Sequence, residues 1–252
     1  MLDRISRALR PWPHHPIDDE YGIETSRKTL RLRLRTGDRI VDQANVGYVG
    51  SQPSIIRKCL SLLPSCAGAT FVDLGCGKGR VLAVATEFPF ASISGIELSG
   101  ALCDRAERNF RRLTARFPDR IRPRILKGDA TGPRLPEAGV AVLFLYNSFK
   151  GPLVARLVAH LTAQLARTPE LTLFLVYYNP VQAVMFDDCA AFDRFHAARY
   201  DFEASERDTS PFGNQHDSVV IWQSSATPIA APLPDAGRDV RVLVPDFAAT
   251  VF

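Results

Sequence analysis

The decapeptide Phe71-Val-Asp-Leu-Gly-Cys-Gly-Lys-Gly-Arg80 constrains the fold of this chain more than any other stretch. Phe71, Val72 and Leu74 form a short apolar run, and Val81, Leu82, Val84 and Ala85 begin a helical pattern directly after the glycines. The chain must therefore turn sharply between Leu74 and Arg80 as a buried strand passes into a helix. Gly75, Gly77 and Gly79 carry no Cβ and reach positive φ at little cost. A ligand can then lie against bare backbone and against the amides that open the helix.

The spacing narrows the ligand. A dinucleotide fold requires G-x-G-x-x-G, whereas the third glycine here comes one residue early, which disfavours a nicotinamide-dependent dehydrogenase. A P-loop is excluded as well, because Lys78 is followed by Gly79 instead of Ser or Thr and Val72 occupies the place of its first glycine. The next strand, Ser92 to Leu98, ends in an acid, Glu97, 22 residues after Gly75. An acid at the tip of the second strand, about 20 residues on, is where a doubly wound α/β fold hydrogen-bonds ribose hydroxyls.

Val72 to Leu82, Gly95-Ile-Glu-Leu-Ser99 and Gly128-Asp-Ala130 together resemble a class I S-adenosylmethionine-dependent methyltransferase, over roughly residues 45–223. Tyr21-Gly-Ile-Glu-Thr-Ser26, Phe71 to Leu82 and Val176-Tyr-Tyr-Asn-Pro180 are more closely similar to a poorly characterised bacterial group, itself distantly similar to the disruptor-of-telomeric-silencing histone lysine methyltransferases. The resemblance implies a Rossmann-like seven-stranded sheet of order 3-2-1-4-5-7-6 with an antiparallel last hairpin. Three regions follow from it: an N-terminal arm and cofactor-covering segment (1–53), the methyltransferase domain (54–223) and a C-terminal tail (224–252). S-adenosyl-L-methionine is the implied cofactor. Gly75, Gly77 and Gly79 would hold its amino-acid end, with Asp73 anchoring the turn and the ammonium; Glu97 would take the ribose and Asp129 the adenine. Tyr48 would lie in a loop folded over the cofactor, or be a plain surface or core aromatic.

Periodicity places the remaining elements. Residues 1–20, with three prolines and the pair His14-His15, read as an irregular arm, and Leu30 to Arg35 alternates apolar and basic residues as a half-buried strand does. Helices are expected at Ser54–Leu63, at Gly79–Phe88 and, capped by Ser99, to about Arg116, with Leu102, Cys103, Ala106, Phe110, Leu113 and Phe117 facing the sheet. Ile121–Lys127 and the apolar runs Val140–Leu145 and Leu171–Tyr178 read as further strands, the last two buried on both faces. Phe192–Glu203 and Ser218–Gln223 form the closing hairpin, where His196 and His216 read as structural. From Ser224 onward the pattern is that of a tail, with Val240–Val244 as a candidate short strand.

The fourth strand delivers Tyr146-Asn-Ser-Phe149 to the C-terminal edge of the sheet, where open α/β folds keep their sites. Amino-directed members of the resembling superfamily carry an Asn/Asp-Pro-Pro-aromatic turn here, which holds the target nitrogen while the ring stacks on it. This chain has Asn147-Ser148-Phe149 and lacks both prolines. Asn147 is thus either the residue that orients an acceptor amine or the cap of the following helix. Tyr178 and Asn179, at the end of the fifth strand, either line the substrate mouth with Phe149 or form a structural junction. The function implied is methyl transfer to an amine of a protein, nucleic acid or small molecule, the acceptor being unidentified. The alternative is an S-adenosylmethionine-binding regulatory or scaffold module without catalysis.

Charge and cysteine usage exclude other classes. The net charge is only +4, yet residues 1–68 hold 11 basic and 7 acidic side chains, while residues 69–252 balance at 20 and 20. Within the latter, residues 105–134 carry ten Lys/Arg against three acids, and residues 187–246 carry eleven acids against five basic residues. A macromolecular acidic acceptor would approach the basic side. Five scattered cysteines (59, 66, 76, 103, 189) without a C-x-x-C pair read as free thiols of a reducing cytoplasm, not as a metal site. No run approaches the roughly 18 apolar residues of a membrane span, and Met1 to Arg10 lacks the apolar core of a signal peptide.

Overall fold

The computed structural model describes residues 13–26, 50–147, 149–210, 213–240 and 242. Its elements in chain order are α1 (Pro16–Tyr21), α2 (Pro53–Leu62), β1 (Thr70–Leu74), α3 (Arg80–Ala85), β2 (Ser92–Glu97), α4 (Gly100–Arg116), β3 (Arg124–Lys127), β4 (Ala138–Tyr146), α5 (Gly151–Leu165), β5 (Glu170–Tyr178), α6 (Val184–Asp187), β6 (Phe192–Asp201) and β7 (His216–Ser224). The strands make one sheet in the order β3-β2-β1-β4-β5-β7-β6. β1 to β5 run parallel to one another, and β7 runs antiparallel to both β5 and β6. This is the expected α/β order, closing hairpin included.

The unbroken apolar runs of β4 and β5 follow from burial on both faces. Val142, Phe144, Phe174, Val176 and Tyr178 point into one core layer, where Ile55, Ile56, Leu60, Leu82, Val84, Phe110 and Leu113 from α2, α3 and α4 meet them. Ala141, Leu143, Leu145, Leu173, Leu175 and Tyr177 point into the other, against Val154, Leu157 and Leu161 of α5 and Phe186 of α6. The strand order reverses between β1 and β4, so the crevice outside their C-terminal ends is the switch point where such sheets bind ligands. Ser99 caps α4 as expected, its hydroxyl accepting from the Leu102 amide. The helix after the glycine turn is shorter than expected and stops at Ala85, where the Thr86 hydroxyl donates back to the Ala83 carbonyl at 2.6 Å.

Two sequence expectations are corrected. Residues 13–20 are not an irregular arm. Ile17 and Tyr21 of α1, with Ile23, belong to the core beside α2 and α4. His15 is not part of a tail either: it is buried, its Nδ1 accepts from the Ile17 amide at 3.1 Å and its Nε2 meets Gln52 Oε1 at 3.0 Å. Burial, reinforced by the Arg80 charge, lowers its pKa to about 4, so the ring is neutral. Nor is the segment after Ser224 a loose tail, because its described part straps the β6 edge. Leu233 donates to the Phe195 carbonyl at 2.8 Å, Gln223 to that of Ala230 at 2.8 Å, and Asp235 holds the buried His196 ring at 2.8 Å. The strap blunts an edge that would otherwise present unpaired backbone. The Leu30–Arg35 strand and residues 243–244 lie outside the described residues, and Val240 and Val242 are not in a strand.

Gly79 shows why glycine is needed at the end of the turn. Its φ is +83°, and a Cβ there would come within 2.4 Å of Phe110 Cζ on α4. Gly139 shares the left-handed φ, at +86°, but faces open space. Gly139→Ala is therefore expected to cost about 1 kcal/mol, from backbone strain alone. Gly79→Ala adds overpacking against a fixed ring and is expected to cost about 3 kcal/mol. Denaturant unfolding of the two variants side by side checks the difference.

Candidate functional site

The turn between β1 and α3 is built from alternating left-handed glycines, with φ of +79°, +55° and +83° at Gly75, Gly77 and Gly79. The Gly75 and Cys76 amides both donate to the Ile96 carbonyl of β2, at 2.9 and 3.1 Å, which stitches the turn to the neighbouring strand. Gly95 makes the close approach feasible, since a Cβ there would lie 2.5 Å from Leu82 Cδ1 and 2.6 Å from Cys76 Sγ. At the tip of β2 the Glu97 carboxylate then reaches the turn itself. One oxygen accepts from the Gly77 amide at 3.0 Å and the other from the Ser99 amide at 2.8 Å. Each oxygen keeps acceptor capacity for a hydroxyl.

Asp73, at the end of β1, is only 3% exposed and has no hydrogen-bond partner among the described residues. Burial, together with the nearby Glu97 charge, holds its carboxyl well above the usual carboxylate range. Burial raises Glu97 as well, against the lowering effect of the amides it accepts from. Two desolvated acids thus flank a backbone cradle, and among the described residues no cationic side chain offsets them. That arrangement suits a ligand bearing hydroxyls and a positive charge.

A clamp from the N-terminal segment covers the turn. Asp18 accepts from the Thr25 and Ser26 amides, both at 2.9 Å, and fixes the bend after α1. Arg80, the first residue of α3, sends Nε to Thr25 Oγ1 (2.8 Å), Nη2 to Ser26 Oγ (3.1 Å) and Nη1 to the Ser51 carbonyl (3.3 Å). Lys78, inside the turn, pairs with Glu24 at 3.0 Å, and Arg105 holds the other oxygen of Glu24 at 2.9 Å. Asn109 of α4 completes the clamp by accepting from the Glu24 amide and donating to the Glu24 and Lys78 carbonyls. Arg80, Glu24 and Asn109 are invisible to periodicity. The only sequence signal for them is that Tyr21 to Ser26 stood out beside the turn as a motif.

The C-terminal ends of β4 and β5, paired through Tyr146 and Tyr178, carry two asparagines at left-handed φ, Asn147 (+34°) and Asn179 (+49°). Their amides differ in employment. Asn179 donates to Asp217 at 2.9 Å and accepts from the Ser218 amide at 3.1 Å, so it is spent on the junction between β5 and β7. Asn147 is buried, and its amide has no hydrogen-bond partner among the described residues. Tyr178 is wholly buried, donates to Asp217 at 2.6 Å and accepts from the Gln52 amide at 3.3 Å. Phe149 packs within the core layer of α5. Asp129 is half exposed, bonded to the Thr131 amide and hydroxyl and ion-paired with Arg156 of α5. Tyr48 lies outside the described residues. The structure thus brings Asp73, the three glycines and Glu97 into one cradle, with Asn147 at the end of β4, the strand paired with β1.

Asp217, at the start of β7, escaped sequence reading. It accepts from Tyr178, Asn179 and Asn214, yet burial, with Glu206 adding to it, pushes its carboxyl up to about 6. The unfolded carboxyl titrates near 3.8, so folding favours the protonated form. Its contribution is present below about pH 4 and lost as the pH rises through 6. From about pH 4 to about pH 7 the parent is expected to lose roughly 2 kcal/mol of stability relative to Asp217→Asn. Denaturant titrations of both proteins at the two pH values measure this slope, whatever the constant offset of the substitution.

Among the described residues no group of three or more His, Cys, Asp or Glu is placed to hold a metal ion, and no helix is long and apolar enough to cross a membrane. No protein-family model matches the chain, and no curated protein matches it. Among solved structures, it is similar to an S-adenosylmethionine-dependent methyltransferase from Thiobacillus denitrificans in complex with S-adenosyl-L-homocysteine, at 16% identity and TM-score 0.46, over 74% of this chain and 98% of that one. An RNA methyltransferase from Salinibacter ruber, also in complex with S-adenosyl-L-homocysteine, shows 18% identity and TM-score 0.43 over 72% and 98%. A tRNA methyltransferase of B. subtilis shows 13% identity and TM-score 0.47 over 71% and 67%.

Proposed function

We propose that this chain is an S-adenosylmethionine-dependent methyltransferase that transfers a methyl group in line to an amine nitrogen. The observation that carries the reading is the pair of buried acids, Asp73 and Glu97, set on either side of the glycine turn, with no cation among the described residues offsetting either. S-adenosylmethionine, when bound, supplies a methyl carbon on a positively charged sulfur that departs as a neutral thioether and needs no proton. Its ammonium and sulfonium supply the positive charge that these acids lack, and its ribose supplies the hydroxyls.

The roles then divide among the residues of the cradle. The amides and bare backbone at Gly75, Gly77 and Gly79 receive the amino-acid end, Asp73 neutralises its ammonium, and Glu97 accepts from the ribose hydroxyls. Asp129 takes the adenine amino group, exchanging part of its bonding to Thr131 and Arg156 for it, and Tyr48 covers the cofactor. Asn147 offers its side-chain carbonyl to an N–H of the acceptor and aims the nitrogen lone pair at the methyl carbon. Phe149, Tyr178 and Asn179 shape the acceptor mouth from beneath. The protein's contribution is mainly alignment and exclusion of water, which accounts for a large part of the barrier in such displacements. The proton released from the nitrogen after transfer leaves to solvent, so no dedicated base is required once the amine arrives neutral.

Calorimetry with S-adenosylmethionine, S-adenosylhomocysteine and, as a control, NAD tests the cofactor. The first two are expected to bind and the third not; a parent protein that binds neither would end the assignment. Methyl transfer from labelled cofactor into cell extract tests the reaction. Asn147→Ala is expected to reduce that transfer about 100-fold with cofactor affinity unchanged, as befits a group acting only on the reacting nitrogen.

A further inference from the structure

The two edges of the sheet treat their charges differently. At the β6 edge, Arg194 is ion-paired with Asp187 at 2.6 Å and His196 with Asp235 at 2.8 Å. At the β3 edge, Arg105 is committed to Glu24, Arg122 to Glu107, and Arg120 lies over the rings of Phe117 and Tyr21 at 4.0 and 5.3 Å. Arg108, Arg111, Arg112 and Arg116 of α4, with Arg124 and Lys127 of β3, stay exposed and without ion pairs among the described residues. Between Gly100 and Lys127, Asp104 and Asp119 are the acids without an ion pair among the described residues, against these six cations.

Their placement is ordered. Ala106, Phe110 and Leu113 bury one side of α4, which turns Arg108, Arg112 and Arg116 outward as a stripe. At 1.5 Å per residue the stripe is about 12 Å long. β3 pairs only with β2, so its outer edge, bearing Arg124, Lys127 and a Leu126 that is 53% exposed, is uncovered among the described residues. The stripe also leads to the candidate site. α4 starts three residues after Glu97, the acceptor of the Ser99 amide; the Glu97 carbonyl accepts from the Gly128 amide at 3.0 Å, and the Lys127 ammonium lies beside Gly100. Basic side chains thus run from the far end of α4 to Arg108 and resume at Lys127 beside the mouth of the crevice, with the exposed Asp104 between them.

We infer that the outward face of α4 and the open edge of β3 bind the phosphate backbone of a nucleic acid, whose far end presents the methyl acceptor to the crevice. The acceptor part of this inference rests on the methyltransferase reading; the binding part does not. Unneutralised cations at helical repeat along one face suit a polyanion with regularly spaced charges better than a compact acidic patch. The Arg120 guanidinium, spent on aromatic rings, takes no part.

Fluorescence anisotropy with a labelled RNA hairpin, a DNA duplex of matched length and poly-glutamate, each over a range of salt, tests the surface on the full chain without cofactor. At least one nucleic acid is expected to bind, with log affinity falling linearly in log salt and poly-glutamate well behind. The comparison of RNA with DNA identifies which backbone is preferred. Arg108→Glu/Arg112→Glu/Arg116→Glu is expected to weaken binding at least 10-fold and to reduce the salt slope by about one per cation removed. Calorimetric affinity of the same variant for S-adenosylmethionine should equal that of the parent. Equal nucleic-acid binding by variant and parent, no binding by the parent, or stronger binding of poly-glutamate would each overturn the inference. Recovery of label from cofactor in the protein fraction of an extract and not in its nucleic acid would overturn the acceptor class. Absence of cofactor binding by the parent, by contrast, would strike the methyltransferase reading and leave the surface standing.

Discussion

Glu97→Ala is expected to lose S-adenosylmethionine affinity by about 100-fold, corresponding to roughly 3 kcal/mol. Two hydroxyl bonds to a carboxylate account for it, at about 1.5–3 kcal/mol each before the desolvation of the ligand is subtracted. The substitution also strips the acceptor from the Gly77 and Ser99 amides, which loosens the turn that must receive the ligand's other end. Stability at neutral pH should change less than affinity, because a carboxylate that burial has raised in pKa is itself unfavourable when ionised. Glu97→Gln keeps one accepting oxygen and is expected to fall between the two, about 10-fold below the parent. Calorimetry with cofactor and product, beside thermal melting of each protein, separates the effects. An alanine variant that binds as tightly as the parent would remove Glu97 from the site.

Arg80→Ala is expected to produce the largest loss of stability. The guanidinium is 6% exposed and bonds three separate acceptors on two segments, Thr25, Ser26 and Ser51, with Asp18 behind the first two. Removing it takes a charged donor from each of those oxygens and the nearby cation from the Asp18 charge, a change of about 3–4 kcal/mol. For a chain of this size that corresponds to a fall in Tm of roughly 10 °C. Residues 13–26 should become the first site of proteolysis. Arg80→Lys is expected to recover little, since one ammonium cannot span acceptors arranged around a planar fork. Unaltered melting of Arg80→Ala would show that the clamp does not depend on this residue.

What could be read from the sequence has a local cause. The strand-turn-helix of Phe71–Arg80, the acid at the end of β2 and the apolar stripe of α4 each arise within one element, where glycine spacing or a period of two or 3.6 leaves a mark. What escaped is made of polar side chains that meet across the chain. Asn109 occupies a helix position like any other, yet its amide clamps a segment 85 residues away. Asp217 is one acid among eleven in its region, and only the convergence of Tyr178, Asn179 and Asn214 distinguishes it. The strap over β6 was read as a tail because Leu233 and Ala236 are too few, and too interrupted by prolines, to show a period. His15 and Asp18 were hidden for the same reason, as capping and bend-fixing groups in a stretch without repeat.

The clamp also sets an order of events in synthesis. Residues 13–26 are made before the groups that hold them: Asn109 comes 85 residues after Glu24, and Glu206, which anchors Ser54, comes 152 residues after Ser54. Residues 13–26 therefore lack part of their docking surface until α4 has been made, and closing such distant pairs is slow in any chain. β1, its glycines and β2 can pair early, leaving the cradle formed but open. The crevice becomes a finished binding site only when residues 13–26 fold down over the turn and join α4 to it.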